Sequence, residues 1–152
     1  MTLTIKDSDV NAIRRFAKAL AGGAVTVGIH EGEAAKEHRS EDDSAGLTVG
    51  ELAEIHEFGL GVPRRSFIAA WADESQDKIA TVVVRGGKAL ASRKITMPQL
   101  LEQTGAWAVG SIQDRMANGI APDSLVDGRT IRLIDTGQLR SSITYQVKAG
   151  PS

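Results

Sequence analysis

Two short stretches carry residue types that could do chemistry. The first is Leu133-Ile134-Asp135-Thr136-Gly137. Two apolar residues before Asp-Thr-Gly is how an aspartic protease presents a catalytic carboxylate. That chemistry needs two such aspartates sharing one proton, so a single copy requires a homodimer. Only fifteen residues follow Gly137, and position 138 is Gln rather than Ala or Ser, so no room remains after the motif to build a cleft. A structural use asks less: Asp135 and Thr136 cap a following helical turn, Gly137 frees the backbone, and Gln138–Ser142 make the turn. That reading is preferred to an Asp135-dependent dimeric protease.

The second stretch is Ile55-His56-Glu57-Phe58-Gly59. A His-Glu pair on a helix suggests a zinc motif, but the second histidine is missing at i+4, where Leu60 stands. His30 and His38 complete the inventory of three. A His30/His38/His56 metal site is the weaker reading, and solvated or locally satisfied histidines are expected. Arg85-Gly86-Gly87-Lys88 lacks the downstream Gly-Lys-Ser/Thr of a phosphate loop. The adjacent Arg64 and Arg65 follow Pro63 at a turn, where arginines are ordinarily solvated; the alternative is pairing with acidic residues of a neighbour.

The elements that must position these residues are legible from spacing. Asp7 or Ser8 caps a first helix with Val10, Ile13, Ala17 and Leu20 on one side, ended by Gly22-Gly23. Val25, Val27 and Ile29 alternate in a short strand. Residues 31–46 are acidic and poor in large apolar side chains, which predicts a mobile loop. Thr48 and Glu51 form a capping box for a helix carrying Val49, Leu52, Ala53 and His56, which Gly59 stops. Pro63 fixes a turn, and Ser66 begins the longest helical pattern, with Phe67, Ala70, Trp71, Ile79, Val82 and Val83. Gly86-Gly87 predicts a kink or break inside it. Pro98 opens another helix, whose stripe is Leu101, Thr104/Gly105, Ala108, Ile112 and Met116 and which Gly119 closes. Gly105, Ala108 and Gly110 predict close approach of a second helix. A polar loop spans Pro122–Arg129, and Ile143, Tyr145 and Val147 alternate in a closing strand. The fold class is α+β: several packed helices, one of them long, on a small antiparallel sheet.

With 152 residues, 41% of them hydrophobic and 24% charged, the chain suits one soluble domain. Six aromatics predict a core of small aliphatics. No cysteine means no disulfide framework, no thiolate nucleophile and no cysteine zinc site. No apolar window is long enough to span a membrane, and MTLTIKDSDV has neither a basic nor an apolar leader region, so no secretory signal is expected. No cofactor motif is present. The net charge of −1 conceals a split: residues 1–60 hold six Lys/Arg against eleven Asp/Glu, and residues 61–152 hold twelve against eight. The acidic run includes Glu31, Glu33, Glu41, Asp42 and Asp43; the basic run includes Arg85, Lys88, Arg93 and Lys94. The basic run has no interleaved aromatics and the chain has a pI near 6.3, which argues against specific nucleic-acid binding. Two such faces are either simply solvated or matched between neighbours in a head-to-tail oligomer.

Three elements in order resemble one family. Glu51–Gly59 (ELAEIHEFG) is followed by Val62–Ile68 (VPRRSFI), and later by Leu133–Ile143 (LIDTGQLRSSI). With the strand Val25–Ile29, this is similar to the tail-completion, or head–tail joining, proteins of tailed bacteriophages, the group that includes the lambda tail-completion protein. The likeness spans about residues 24–148. Ser66 stands where the family pattern has Pro, the stretch before Leu133 lacks the usual Pro-Pro pair, and the acidic stretch 31–46 reads as an insertion.

The resemblance implies a structural virion protein of the neck, not an enzyme, which completes the tail and joins it to the head. It implies a homo-oligomeric ring, six or twelve copies, in contact with connector or head-completion proteins and with tail-tube or tail-terminator proteins. A tail terminator or head-closure ring is the neighbouring alternative. The motif residues His56, Glu57, Phe58, Gly59, Pro63, Arg65, Phe67, Asp135, Thr136, Gly137, Leu139, Ser142 and Ile143 are then scaffolding. Phe58 and Phe67 are expected to be core anchors.

Overall fold

The computed structural model describes residues 23–39, 46–118 and 137–149. The expected first helix, the loop Pro122–Arg129, and Glu41, Asp42, Asp43, Gly119, Asp135 and Thr136 lie outside them. In chain order the described elements are β1 (Gly23–Gly28), α1 (Glu31–Ala34), α2 (Val49–Phe58), α3 (Ala69–Glu74), α4 (Gln76–Ala91), α5 (Met97–Ala117), α6 (Gln138–Ser141) and β2 (Thr144–Ala149). This is the α+β architecture that the periodicities imply.

The two strands pair antiparallel, with Val25 opposite Val147 and Val27 opposite Tyr145. Alternation turns Val25 and Val27 inward and leaves Ala24 and Thr26 exposed. His30 clamps the end of the pair: its Nδ1 lies 2.8 Å from Thr144 Oγ1 and its Nε2 3.1 Å from Thr26 Oγ1. The inner face of the sheet rests on α5, the longest described helix.

Thr96 and Gln99 cap α5 reciprocally, with Pro98 in the first turn. Its stripe of Gly105, Ala108, Ile112 and Met116 is buried, as spacing predicts. What approaches it closely is the sheet rather than a second helix. A Cβ on Gly105 would meet Tyr145 Cδ2 at 2.5 Å and Val25 Cγ2 at 2.9 Å. The small residue is therefore required by an aromatic ring on β2. Gly110, by contrast, faces open space.

The helical pattern from Ser66 divides elsewhere than expected. It breaks at Ser75, between α3 and α4, while α4 runs unbroken through Gly86-Gly87. Gly86 has a packing reason: a Cβ there would lie 2.0 Å from Leu100 Cδ1 of α5. Tertiary contact overrides the low helix propensity of the pair.

The described part of the acidic stretch, residues 31–39, also differs from a plain loop. Residues 31–34 make one helical turn, and Glu37 bridges Thr48. His38 N donates to Leu47 O at 2.7 Å, and Val49 N to Lys36 O at 2.8 Å. Backbone pairing thus supplies order that the side chains do not advertise.

The core gathers Val49, Phe67, Trp71, Ala108, Ile112, Met116, Leu139 and Ile143. It is not built of small aliphatics alone. Trp71 meets Trp107 at a centroid distance of 6.0 Å, and its Nε1 donates to Ser111 Oγ at 2.9 Å. Few aromatics are present, but two of them are central.

Gly105→Val should overpack the α5–sheet contact and cost about 1–3 kcal/mol, whereas Gly110→Ala should gain roughly 0.5–1 kcal/mol from helix propensity. Urea unfolding of both variants measures the difference; equal effects would contradict the contact.

Candidate functional site

The sequence motifs meet where α2 ends and α3 begins. Thr48 caps α2, its hydroxyl accepting from Glu51 N at 3.2 Å while the Glu51 carboxylate accepts from Thr48 N at 2.8 Å. The capped register puts Val49, Leu52 and His56 on the buried stripe. Gly59 ends the helix in the left-handed conformation, φ 71°, where an L side chain is strained. A Cβ there would also lie 2.9 Å from Arg64 Cβ.

Glu57 then binds the chain that follows. Its carboxylate accepts from Ser66 Oγ at 2.7 Å, Phe67 N at 2.8 Å, Ala69 N at 2.9 Å and Ile68 N at 3.1 Å. Three of these donors are amides that the first turn of α3 leaves without helical partners. A fourth, Ala70 N, donates to Ser66 Oγ at 3.0 Å. The α3 cap is therefore supplied from another helix, with Ser66 relaying it. Arg64 Nε donates to Glu57 O at 3.0 Å and Arg65 N to His56 O at 2.8 Å, so the turn is fastened on both sides. Burial pushes the Glu57 carboxyl up, but the bonds from Ala69, Ser66, Phe67 and Ile68 outweigh it and leave its pKa below the usual carboxylate value.

Beside this carboxylate lies a basic cluster. His56 is 2% exposed, Arg65 4% and His38 6%. Burial first, then the Arg65 guanidinium and His38, pushes the His56 imidazole down to about 4. His56 is thus neutral at physiological pH. The expected solvation of Arg65 and of His38 does not hold: each is drawn inside by its backbone, His38 through the bridge to Leu47 and Arg65 through the bond to His56 O.

The other motif residues divide clearly. Phe67, Leu139, Ile143 and Ser142 are buried. Ser142 Oγ donates to Gln138 O at 2.8 Å, and Gly137, φ 60°, is the N-cap of α6, the single turn expected there. Pro63 is half-buried in the turn. Phe58 is not a core anchor: it is 65% exposed, next to Leu60 at 57%. The reason is rotational, since two residues past His56 on a helix point about 200° from the buried stripe. The charge candidates Glu31, Arg85, Lys88, Arg93 and Lys94 are exposed; Glu33 is half-buried and paired with Lys36 at 2.6 Å. Arg85 and Lys88 lie along α4, and Arg93, at φ 56°, follows its end.

The Glu57 carboxylate does structural work, holding α2 to the start of α3. Glu57 is saturated with donors, so it has no spare lone pair aimed at a substrate. His30 is engaged by Thr26 and Thr144, which removes it from the His30/His38/His56 trio. Among the described residues no group of three or more His, Cys, Asp or Glu could hold a metal, and no helix is long and apolar enough to cross a membrane. A groove of about 660 Å³ is lined by Trp71, Trp107, Gly110 and Ser111, and two of its charged residues, Arg115 and Glu74, pair with each other.

Acid should unfold the protein in two successive windows. His56 has a depressed folded pKa, so the unfolded chain takes up its proton first, and stability on the order of 3 kcal/mol is lost as pH falls from 6.5 to about 4. His56→Gln should flatten that window in urea titrations. Glu57 also has a lowered folded pKa, so its contribution is complete above about 4.5 and is lost as pH falls below it. Glu57→Gln should remove this lower window and cost about 2 kcal/mol at pH 7, because one amide oxygen cannot replace a charged carboxylate that accepts four bonds. An unchanged pH profile in either variant would contradict its assignment.

Compared with protein-family models, with curated proteins and with solved structures, the chain matches none.

Proposed function

We propose that this chain is a structural virion protein of a tailed-phage neck, which assembles as a ring, completes the tail and joins it to the head. The observation that carries the reading is the order of three separated motifs together with what they do in the fold. The first, EIHEFG, supplies the carboxylate that caps the second, VPRRSF. Leu139 and Ile143 of the third enter the same core as Phe67 of the second. Motifs that fasten one another describe a shared folding unit, which supports reading the resemblance as one of architecture.

Two surface features fit subunit contact. Phe58 and Leu60 form an exposed apolar step beside the hub, and Val83 and Val84 are exposed on α4 at 50% and 56%. α4 carries no buried residue, although it presents an apolar side. The acidic exposed residues near α1 and the basic ones on and after α4 supply opposite signs for adjacent copies. The partners would be further copies, six or twelve, with connector or head-completion proteins on one side and tail-tube or tail-terminator proteins on the other. The place of action is the virion, after synthesis in the host cytoplasm.

Native mass spectrometry and negative-stain imaging of the protein, alone and with its connector or tail partners, should find rings that weaken with salt. Phe58→Ser with Leu60→Ser should leave folding within about 0.5 kcal/mol of the parent, because both sites are exposed. It should weaken assembly by roughly thirtyfold, about 2 kcal/mol. A strict monomer that never joins particles overturns the reading. Position in an assembled particle separates tail completion from a tail-terminator or head-closure role.

A further inference from the structure

His38, His56 and Arg65 come from three separate segments and are all buried. The Arg65 backbone is bonded to His56, and His56 feels both the guanidinium and the His38 ring. Each of the three is more than nine-tenths buried, and each presents a buried nitrogen without a hydrogen-bond partner: Nδ1 of His38, Nδ1 of His56 and Nη1 of Arg65. Buried donors ordinarily find acceptors, and an arginine cannot shed its proton to avoid the cost. The neighbouring carboxylate, Glu57, is fully engaged with Ser66, Phe67, Ile68 and Ala69.

We propose that His38, His56 and Arg65 form a seat for one carboxylate group from outside the described fold. A carboxylate matches the chemistry on three counts. Its single negative charge equals the one permanent positive charge, that of Arg65, whereas a dianion would leave an uncompensated charge in a buried place. Its two oxygens accept several N–H donors at once, as a planar guanidinium favours. Both imidazoles can offer Nδ1–H in the neutral state by choice of tautomer. Glu37 and Arg39, on either side of His38, are exposed. That segment is held by the backbone bond to Leu47 and by the Gln138 amide, which accepts from Arg39 N and donates to Glu37 O. The carboxylate is either an acidic side chain of a second copy of this chain or a small free anion. The proposal stands apart from the neck reading.

The test compares sodium acetate with sodium chloride at equal ionic strength on the full chain, diluted until sedimentation shows a monomer. Acetate at pH 7 should raise the thermal midpoint by about 2–4 °C beyond chloride. In long-range ¹H–¹⁵N spectra it should perturb the His38 and His56 rings and move the His56 titration upward from about 4, since a nearby anion favours the imidazolium. Arg65→Gln should abolish the acetate effect and Arg65→Lys should keep part of it. The ring titration of the parent protein decides the matter even if Arg65→Gln fails to fold. If acetate and chloride act alike on both the midpoint and the rings, the seat does not exist. At higher protein concentration, acetate that competes with self-association identifies the second copy as the natural source, and acetate that leaves it unchanged identifies a free anion.

Discussion

A single carboxylate, that of Glu57, holds the end of α2 to the start of α3, and the placement of most other parts depends on it. The chain must reverse between Gly59 and Ser66 and deliver Phe67 and Trp71 into the core. Such a turn exposes the first amides of α3, and these would be costly to bury unpaired. Glu57 answers three of them at once and, through Ser66, indirectly a fourth. A charged acceptor makes each bond stronger than a neutral one, and the bonds outweigh the burial cost of the charge. The carboxylate lies on the side of α2 that reaches α3 only because Thr48 and Glu51 fix the helix register upstream. A local sequence device nine residues away thus sets a tertiary cap.

The same constraint explains the strain and the small residues around it. Gly59 must be left-handed for the chain to leave α2 in the direction of Arg64, and nothing bulkier fits. His56 is carried inside as a consequence of register: it sits where an apolar residue completes the stripe of Val49 and Leu52. Burial then makes it neutral, and Arg65 beside it keeps it so. The hub therefore holds an acid with every lone pair engaged next to three bases with unpartnered nitrogens. Its polarity is lopsided, and only the acidic half is internally complete.

Much of this was legible in the residues, for identifiable reasons. Local signals held well: the Thr48 and Thr96 capping boxes, the Gly59 stop, the α5 stripe, and the single turn after Gly137 before the last strand. These depend on neighbours within four or five positions, which a sequence displays directly. What was not legible was set across the fold. Gly105 read as a site for a helix because small residues signal close approach without saying what approaches; the partner is Tyr145, forty residues on. Gly86-Gly87 read as a break because propensity is local, while the fit of Leu100 against Gly86 is set across the fold. Arg65 and His38 read as solvated because charge usually is, and only backbone bonds to His56 and Leu47 bring them in. Phe58 read as core because it is aromatic; one turn of helical arithmetic from His56 places it outside. The stripe Val49, Leu52, His56 was the signal that would have assigned both residues correctly.

The exposed aromatic also bears on how the hub relates to the surface. Phe58 directly follows Glu57, so the helix end that caps α3 from within also sets the position of an apolar side chain outside. Any displacement of α2 relative to α3 would have to break the bonds to Glu57 before Phe58 could move. The backbone that carries Phe58 is for that reason tied to the α3 cap. Rigidity of this kind lowers the entropy lost when such a surface is covered, because the side chain is carried by a backbone already fixed. The sequence achieves this by placing an acid that caps α3 and an exposed aromatic in adjacent positions on one capped helix.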